Sequence, residues 1–182
     1  MDSKRKPFDP DAQVIGQVLC AFLESTSLDQ IHPYLQKYGM ETPEQDHWYS
    51  VHDTLKLFGD ITHFDNAMMV LISVGIRIAE NAVFPPELIP ASLEDFWRML
   101  NDVYYLQHRG YVGELIAARI GDQRYRITTY SPYPDHFWYG NYYGWMKRFL
   151  PPGQAFTLEY DERTPGRDEG GDVTVMYATW AW

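Results

Sequence analysis

The sequence predicts an α+β domain: a helical N-terminal half packed on a four-stranded antiparallel sheet, whose own elements run strand-strand-helix-strand-strand. Two observations predict this. Apolar residues recur at the helical period as far as Gly110, and from Glu114 onward the period shortens to two. Segregated runs of helices and then strands favour an antiparallel sheet covered by helices on one face. A length of 182 residues fits one domain, residues 1–182, with residues 1–10 read as a flexible N-terminus.

Asp9 followed by Pro10 reads as an N-cap with proline at the first helical position, and Val14, Ile15, Val18, Leu19, Phe22 and Leu23 then follow at the helical period. Ser27 with Gln30 forms a capping-box pattern for a second helix, kinked at Pro33 and closed by Gly39. Ser50 caps a third helix through Phe58, and Asp65 a fourth through about Glu80. Three prolines between Asn81 and Ala91 make a rigid connection. Ser92 opens a fifth helix, with Phe96, Trp97, Leu100, Val103 and Tyr104 on one side and Gly110 at its end.

Strands follow over Glu114–Ile120 and Gln123–Tyr130, joined at Gly121-Asp122, a pair suited to a type II′ turn. Asp135 caps a helix from His136 to about Leu150, stopped by Pro151-Pro152-Gly153. Two last strands, Gln154–Tyr160 and Val173–Trp182, flank an acidic loop.

Composition excludes several classes of function. Fifteen basic against twenty-five acidic residues leave a net charge of −10, which repels phosphate backbones and anionic lipid. Neither nucleic acid nor a membrane is therefore expected as a partner. No apolar run reaches the ~20 residues of a bilayer crossing, and no secretory leader follows the basic start. One cysteine, Cys20, rules out an internal disulfide and suits a cytoplasmic protein. The unusual quantity is aromatic content, 16%, which points to a pocket or an interface.

The densest aromatic segment runs from Ser131 to Trp145. On a helix begun at His136, Trp138, Tyr142 and Trp145 share a stripe, and Tyr139 and Tyr143 lie beside it. Such a face serves either as core or as the wall of a cavity in which phenols and indoles orient an apolar guest. Gly140 and Gly144 leave a strip on which something can pack closely. Histidines 47, 52 and 63 sit beside carboxylates without metal-ligand spacing, and Cys20 reads as an inert helical thiol. No phosphate-binding loop, dinucleotide fingerprint or nucleophile elbow is present, and no catalytic set stands out. Neither catalytic residues nor a metal site are expected.

Several motifs resemble the superfamily that joins 4-vinyl reductase domains, haem-NO-binding sensors and small TRAPP subunits, nearest to its stand-alone bacterial members. They are Pro132-Tyr133-Pro134-Asp135-His136-Phe137-Trp138-Tyr139-Gly140, the run Arg148 to Gly153, and a strand ending in Thr179-Trp180. Trp48-Tyr49, Glu80-Asn81 and Phe84-Pro85-Pro86 extend the likeness over most of residues 28–182. The resemblance implies a compact ligand-binding module, often sensory and often dimeric, with a hydrophobic pocket between helices and sheet. The superfamily's haem sensors hold the propionates with Tyr-x-Ser-x-Arg. The comparable stretch here is Thr129-Tyr130-Ser131-Pro132-Tyr133, which keeps the serine but replaces both the tyrosine and the arginine, so the arginine fork is lost. No cofactor is therefore expected, haem included, and no zinc, since the cysteines of the zinc-bearing members are absent.

The expected function is a non-enzymatic sensory or regulatory module for an apolar or aromatic molecule. Its lining is expected from Trp48, Trp97, Tyr104, Tyr139, Tyr142 and Trp145, with His108 or Arg109 as a polar contact. Two alternatives remain open: an enzyme of 4-vinyl-reductase type acting on a tetrapyrrole or aromatic, and a homodimeric scaffold.

Overall fold

A computed structural model describes residues 8–26 and 28–181. Its main sheet holds β4 (Glu114–Gly121), β5 (Arg124–Tyr130), β6 (Phe156–Tyr160) and β7 (Thr174–Trp180), all antiparallel, in the spatial order β4-β5-β7-β6. α7 (Asp135–Phe149) joins the two strand pairs. The α+β class and the strand-strand-helix-strand-strand order are those expected.

The N-terminus departs from expectation. Asp9 caps a tight turn, its Oδ1 accepting the Asp11 N–H at 2.9 Å, and no helix follows it. Val14 and Ile15 belong instead to β1 (Gln13–Ile15), the middle strand of a second sheet between β2 (Trp48–Ser50) and β3 (His108–Arg109). Strands of two or three residues are too short to show a period, and adjacent β-branched residues satisfy either pattern. The first helix, α1 (Gln17–Ser25), begins only after Gly16, where a Cβ would strike the Glu44 carbonyl. Phe8 and Asp9 are held as well: the Phe8 ring lies 5.0 Å from that of Tyr130, and Asp9 N–H donates to the Tyr111 carbonyl at 2.7 Å. Residues 1–7 of the expected flexible N-terminus, and Ser27 of the capping box, lie outside the described residues.

α2 (Leu28–Lys37) carries Pro33 within it, and Gly39 closes the segment at φ +67°. Ser50 caps α3 (Val51–Ile61) as expected, its hydroxyl accepting the Asp53 N–H at 3.3 Å. Ser92 likewise caps α5 (Leu93–Arg98) through the Asp95 N–H at 3.1 Å. The single fifth helix that was expected divides at Met99 (φ −98°, ψ 5°), and α6 (Leu100–Leu106) continues it. Met99 N–H reaches both Asp95 and Phe96 carbonyls, the tightened geometry of a 3₁₀ turn. In the β4–β5 hairpin the positive φ falls on Gln123 (+53°) rather than Gly121, because Gly121 still pairs with Arg124 and the register slips after Arg119. The extra residue is a β-bulge, so the expected type II′ turn does not form.

α4 (Ala67–Asn81) and α7 touch backbone to backbone. A Cβ on Gly140 would collide with the Ile72 carbonyl, one on Gly75 with the Phe137 carbonyl, and one on Gly144 would lie 2.7 Å from Ala79 Cβ. The strip left open by Gly140 and Gly144 is thus occupied by α4. This contact presses the other face of α7, with Trp138, Tyr142 and Trp145, into the interior beside the sheet. The start of α7 is pinned by a reciprocal staple. Asp168 takes the Asp135 N–H at 2.8 Å, while the Asp135 carboxylate takes the Asp168 N–H at 3.1 Å and the Thr174 hydroxyl.

Candidate functional site

The seam between α6, α7 and the sheet holds the arrangement closest to a site. α6 supplies Val103 and Tyr104, the segment after it Gln107 and His108, and α7 Trp138 and Trp145; Tyr133 enters from the connection between β5 and α7. These side chains surround a cavity of about 20 Å³. That is room for about one water. The rings interlock: Tyr104 stands edge-on to Trp138 at 5.5 Å, and Trp138 stacks on Tyr142 at 5.4 Å.

A buried polar string runs along the cavity. His108 Nδ1 lies 2.8 Å from the Tyr104 carbonyl, which can only accept, so Nδ1 carries the proton. Nε2 is therefore an acceptor, and the Tyr133 hydroxyl donates to it at 2.8 Å. Tyr104 donates its own hydroxyl proton to the Val112 carbonyl at 2.9 Å and accepts from Ser131 at 3.3 Å. Burial holds His108 neutral, with its pKa pushed down to about 4. The same burial pushes the Tyr104 and Tyr133 phenols up, so no charge stands on this string near neutrality.

Two donors in this interior lack partners among the described residues. The indole N–H groups of Trp97 and Trp138 are buried and unbonded, whereas Trp145 donates to Asn141 at 3.0 Å. An unpaired buried donor costs about 1–3 kcal/mol, and native interiors seldom leave one without a water or a guest. Trp138 lines the cavity; Trp97 lies behind it, against Tyr142 and Tyr125.

Of the eight residues expected from sequence, Tyr104, His108 and Trp145 line the cavity. Trp97 and Tyr142 pack one layer away, Tyr142 hydrogen-bonded to Thr129 at 2.7 Å. The others are elsewhere. Arg109 lays its guanidinium over Trp48 at 3.9 Å on the small sheet, and Tyr139 stacks on Tyr160 at 5.7 Å. The lining residues not anticipated include Tyr133, Trp138 and Gln107. Tyr133 belongs to the aromatic motif Pro132–Gly140 and Trp138 to the α7 stripe, so composition marks both without marking their role.

Val103 and Gln107 also line an outer groove of about 220 Å³, between the end of α4 and the chain around Gln45 and Asp46. A second cleft, about 520 Å³, lies over the acidic loop at Asp135, Asp161 and Asp168. Among the described residues no group of three or more His, Cys, Asp or Glu could hold a metal, and no helix is long and apolar enough to cross a membrane.

No family model matches the chain, and no curated protein matches it. Solved structures do match over nearly all of it. A point mutant of the T. tengcongensis H-NOX domain superposes with a TM-score of 0.68 at 14% identity, covering 92% of this chain and 95% of that one. An oxygen-binding H-NOX domain related to soluble guanylate cyclases, in its oxygen complex, gives 0.65 at 16%, covering 92% and 93%. A structure described as modulating haem redox potential through protein-induced porphyrin distortion gives 0.66 at 16%, covering 90% and 96%. The H-NOX fold is therefore the fold of this chain. The haem-NO-binding branch of the resemblance carries over at that level.

One expectation is corrected here. No cofactor was expected, haem included, because the arginine fork is missing; yet the chain adopts a fold whose solved examples include structures concerned with haem and its porphyrin. Replacement of the motif tyrosine and arginine is thus too narrow a reason to exclude a prosthetic group. Tyr133 takes the place of that arginine in the motif, both His108 nitrogens are engaged, and the seam encloses only about 20 Å³. As folded, these side chains do not fit a porphyrin.

Proposed function

We propose that this chain is a non-enzymatic small-molecule-binding module, sensory or regulatory in role, whose guest is an apolar or aromatic molecule seated in the seam between α6, α7 and the sheet. The observation that carries this reading is the unbonded Trp138 indole beside a cavity lined by Tyr104, His108 and Tyr133. An aromatic wall with a few uncharged polar groups is the usual make-up of a small-molecule pocket. The guest would supply the acceptor that Trp138 lacks. Because Val103 and Gln107 face both the cavity and the outer groove, the guest enters between them. Binding then works by population shift: the closed seam gives way to an open one, and the difference is felt by α6 and by the small sheet that follows it.

Titration of intrinsic tryptophan fluorescence with a series of aromatic compounds, haemin among them, tests the reading. A saturable shift that Val103→Trp abolishes supports it, and a Soret band with haemin would make a tetrapyrrole the guest. A spectrum unmoved by every compound overturns it.

A further inference from the structure

The phenols and indoles that crowd the seam differ in where their protons point. A phenol or indole that loses one electron becomes a strong acid, and in an apolar interior the hole settles where that proton has a base to go to. Tyr104 donates to the Val112 carbonyl and Trp145 to the Asn141 amide oxygen, neither of them a base near neutrality. Tyr142 pairs with the Thr129 hydroxyl, and the N–H groups of Trp97 and Trp138 have no partner among the described residues. Of these rings and Tyr133, Tyr133 alone donates to a nitrogen base. Its hydroxyl stands 2.8 Å from His108 Nε2, and the Nδ1–H bond to the Tyr104 carbonyl, also 2.8 Å, fixes the imidazole in the accepting tautomer.

The same rings connect this pair to the outside. Tyr105, half-buried, stands edge-on to Tyr104 at 5.4 Å. Tyr104 stands edge-on to Trp138 at 5.5 Å, and Trp138 to Tyr133 at 6.3 Å. Every step lands on a residue that can itself be oxidised.

We propose that Tyr133 and His108 form a redox-active pair: a strong outer-sphere one-electron oxidant at Tyr105 takes an electron relayed through Tyr104 and Trp138, and the Tyr133 phenolic proton crosses to His108 Nε2. The Tyr133 O–H bond breaks and an N–H bond forms on His108. The products are a neutral phenoxyl radical and an imidazolium, and the electron leaves on the reduced oxidant. The hydrogen bond survives with its direction reversed, now from Nε2 to the phenoxyl oxygen.

Burial pushes the Tyr133 phenol up and His108 down to about 4, so the proton stays on Tyr133 until the electron leaves. A phenol radical cation is a far stronger acid than that imidazolium, and the transfer then runs downhill. The new charge is not left bare. Nδ1–H keeps the Tyr104 carbonyl, the Tyr104 ring lies 4.3 Å from the imidazole, and the net charge of −10 favours a cation inside. The step needs no guest in the seam, so it stands apart from small-molecule binding.

Flash oxidation of the full chain with tris(bipyridine)ruthenium and a sacrificial acceptor, followed by freezing and electron paramagnetic resonance, tests the pair. Wild-type protein yields a neutral tyrosyl radical, and 15N-histidine labelling reveals its coupling to one imidazole nitrogen. Tyr133→Phe abolishes that coupled signal, whereas Tyr139→Phe, whose ring stacks on Tyr160, leaves it unchanged. His108→Gln slows formation of the radical by roughly a hundredfold, the usual worth of a positioned base. Tyr105→Phe leaves the pair intact and lowers the yield. The labelled wild type decides the matter even if Tyr133→Phe does not fold. A tyrosyl radical without nitrogen coupling, a coupled signal that survives Tyr133→Phe, or an unchanged yield in Tyr105→Phe overturns the proposal.

Discussion

The Tyr133 hydroxyl donates a 2.8 Å hydrogen bond to His108 Nε2, and this bond closes the seam between helices and sheet. It ties the segment after α6 to the segment before α7, beside the Tyr104–Ser131 bond that links α6 to the same segment. Tyr133 and His108 are both buried, so neither can exchange the other for water while the seam is shut.

Tyr133→Phe removes the donor and leaves the imidazole nitrogen buried and unpaired. The expected loss is about 1–3 kcal/mol. Urea denaturation at pH 7 reads it as a lower midpoint with an unchanged slope. The variant should also bind aromatic guests more tightly, since the closed state it destabilises competes with the bound one.

Stability also falls with acid through His108. The folded pKa, about 4, lies below the ordinary 6.5, so the unfolded chain takes up the proton first. This contribution is fully present above pH 6.5 and shrinks as pH falls toward 4, a loss of roughly 3 kcal/mol over that window. Unfolding midpoints of wild type and His108→Gln, compared from pH 7 to 4.5, should converge as the wild type alone loses this share.

Gly140→Ala should be among the most damaging single changes in the chain. The added methyl has nowhere to go but into the Ile72 carbonyl, and both helices there are rigid backbone. Separating α4 from α7 loosens the face that carries Trp138 and Trp145, at a cost of about 2–4 kcal/mol. A thermal scan measures it, and Gly59→Ala, whose Cβ would meet nothing within 4 Å, is the control.

How much of this was legible in the sequence follows from the length of each signal. The caps at Ser50 and Ser92 act over three residues and were readable as such. The main sheet was readable because its hairpin keeps a period of two over seven or eight residues. The small sheet was not, because β1, β2 and β3 are held by pairing between residues far apart in the chain, with Val14 opposite both Tyr49 and His108. The aromatic stripe on α7 was visible, but which rings face a cavity depends on α4 fixing the rotation of α7 through three glycines. That is why Trp48 and Arg109, a pair on the surface, could be mistaken for lining, while Tyr133 was passed over.

The most direct measurement follows the indole N–H resonances of 15N-labelled protein, assigned by Trp→Phe substitution, while an aromatic compound such as indole is added. The account predicts that the Trp138 signal moves downfield and saturates as its proton gains an acceptor, with Trp145 following to a smaller extent. The Trp48 signal, beneath Arg109 on the small sheet, should stay in place. If Trp138 holds still while the compound binds, or if only Trp48 responds, the guest does not enter the seam and the account is wrong.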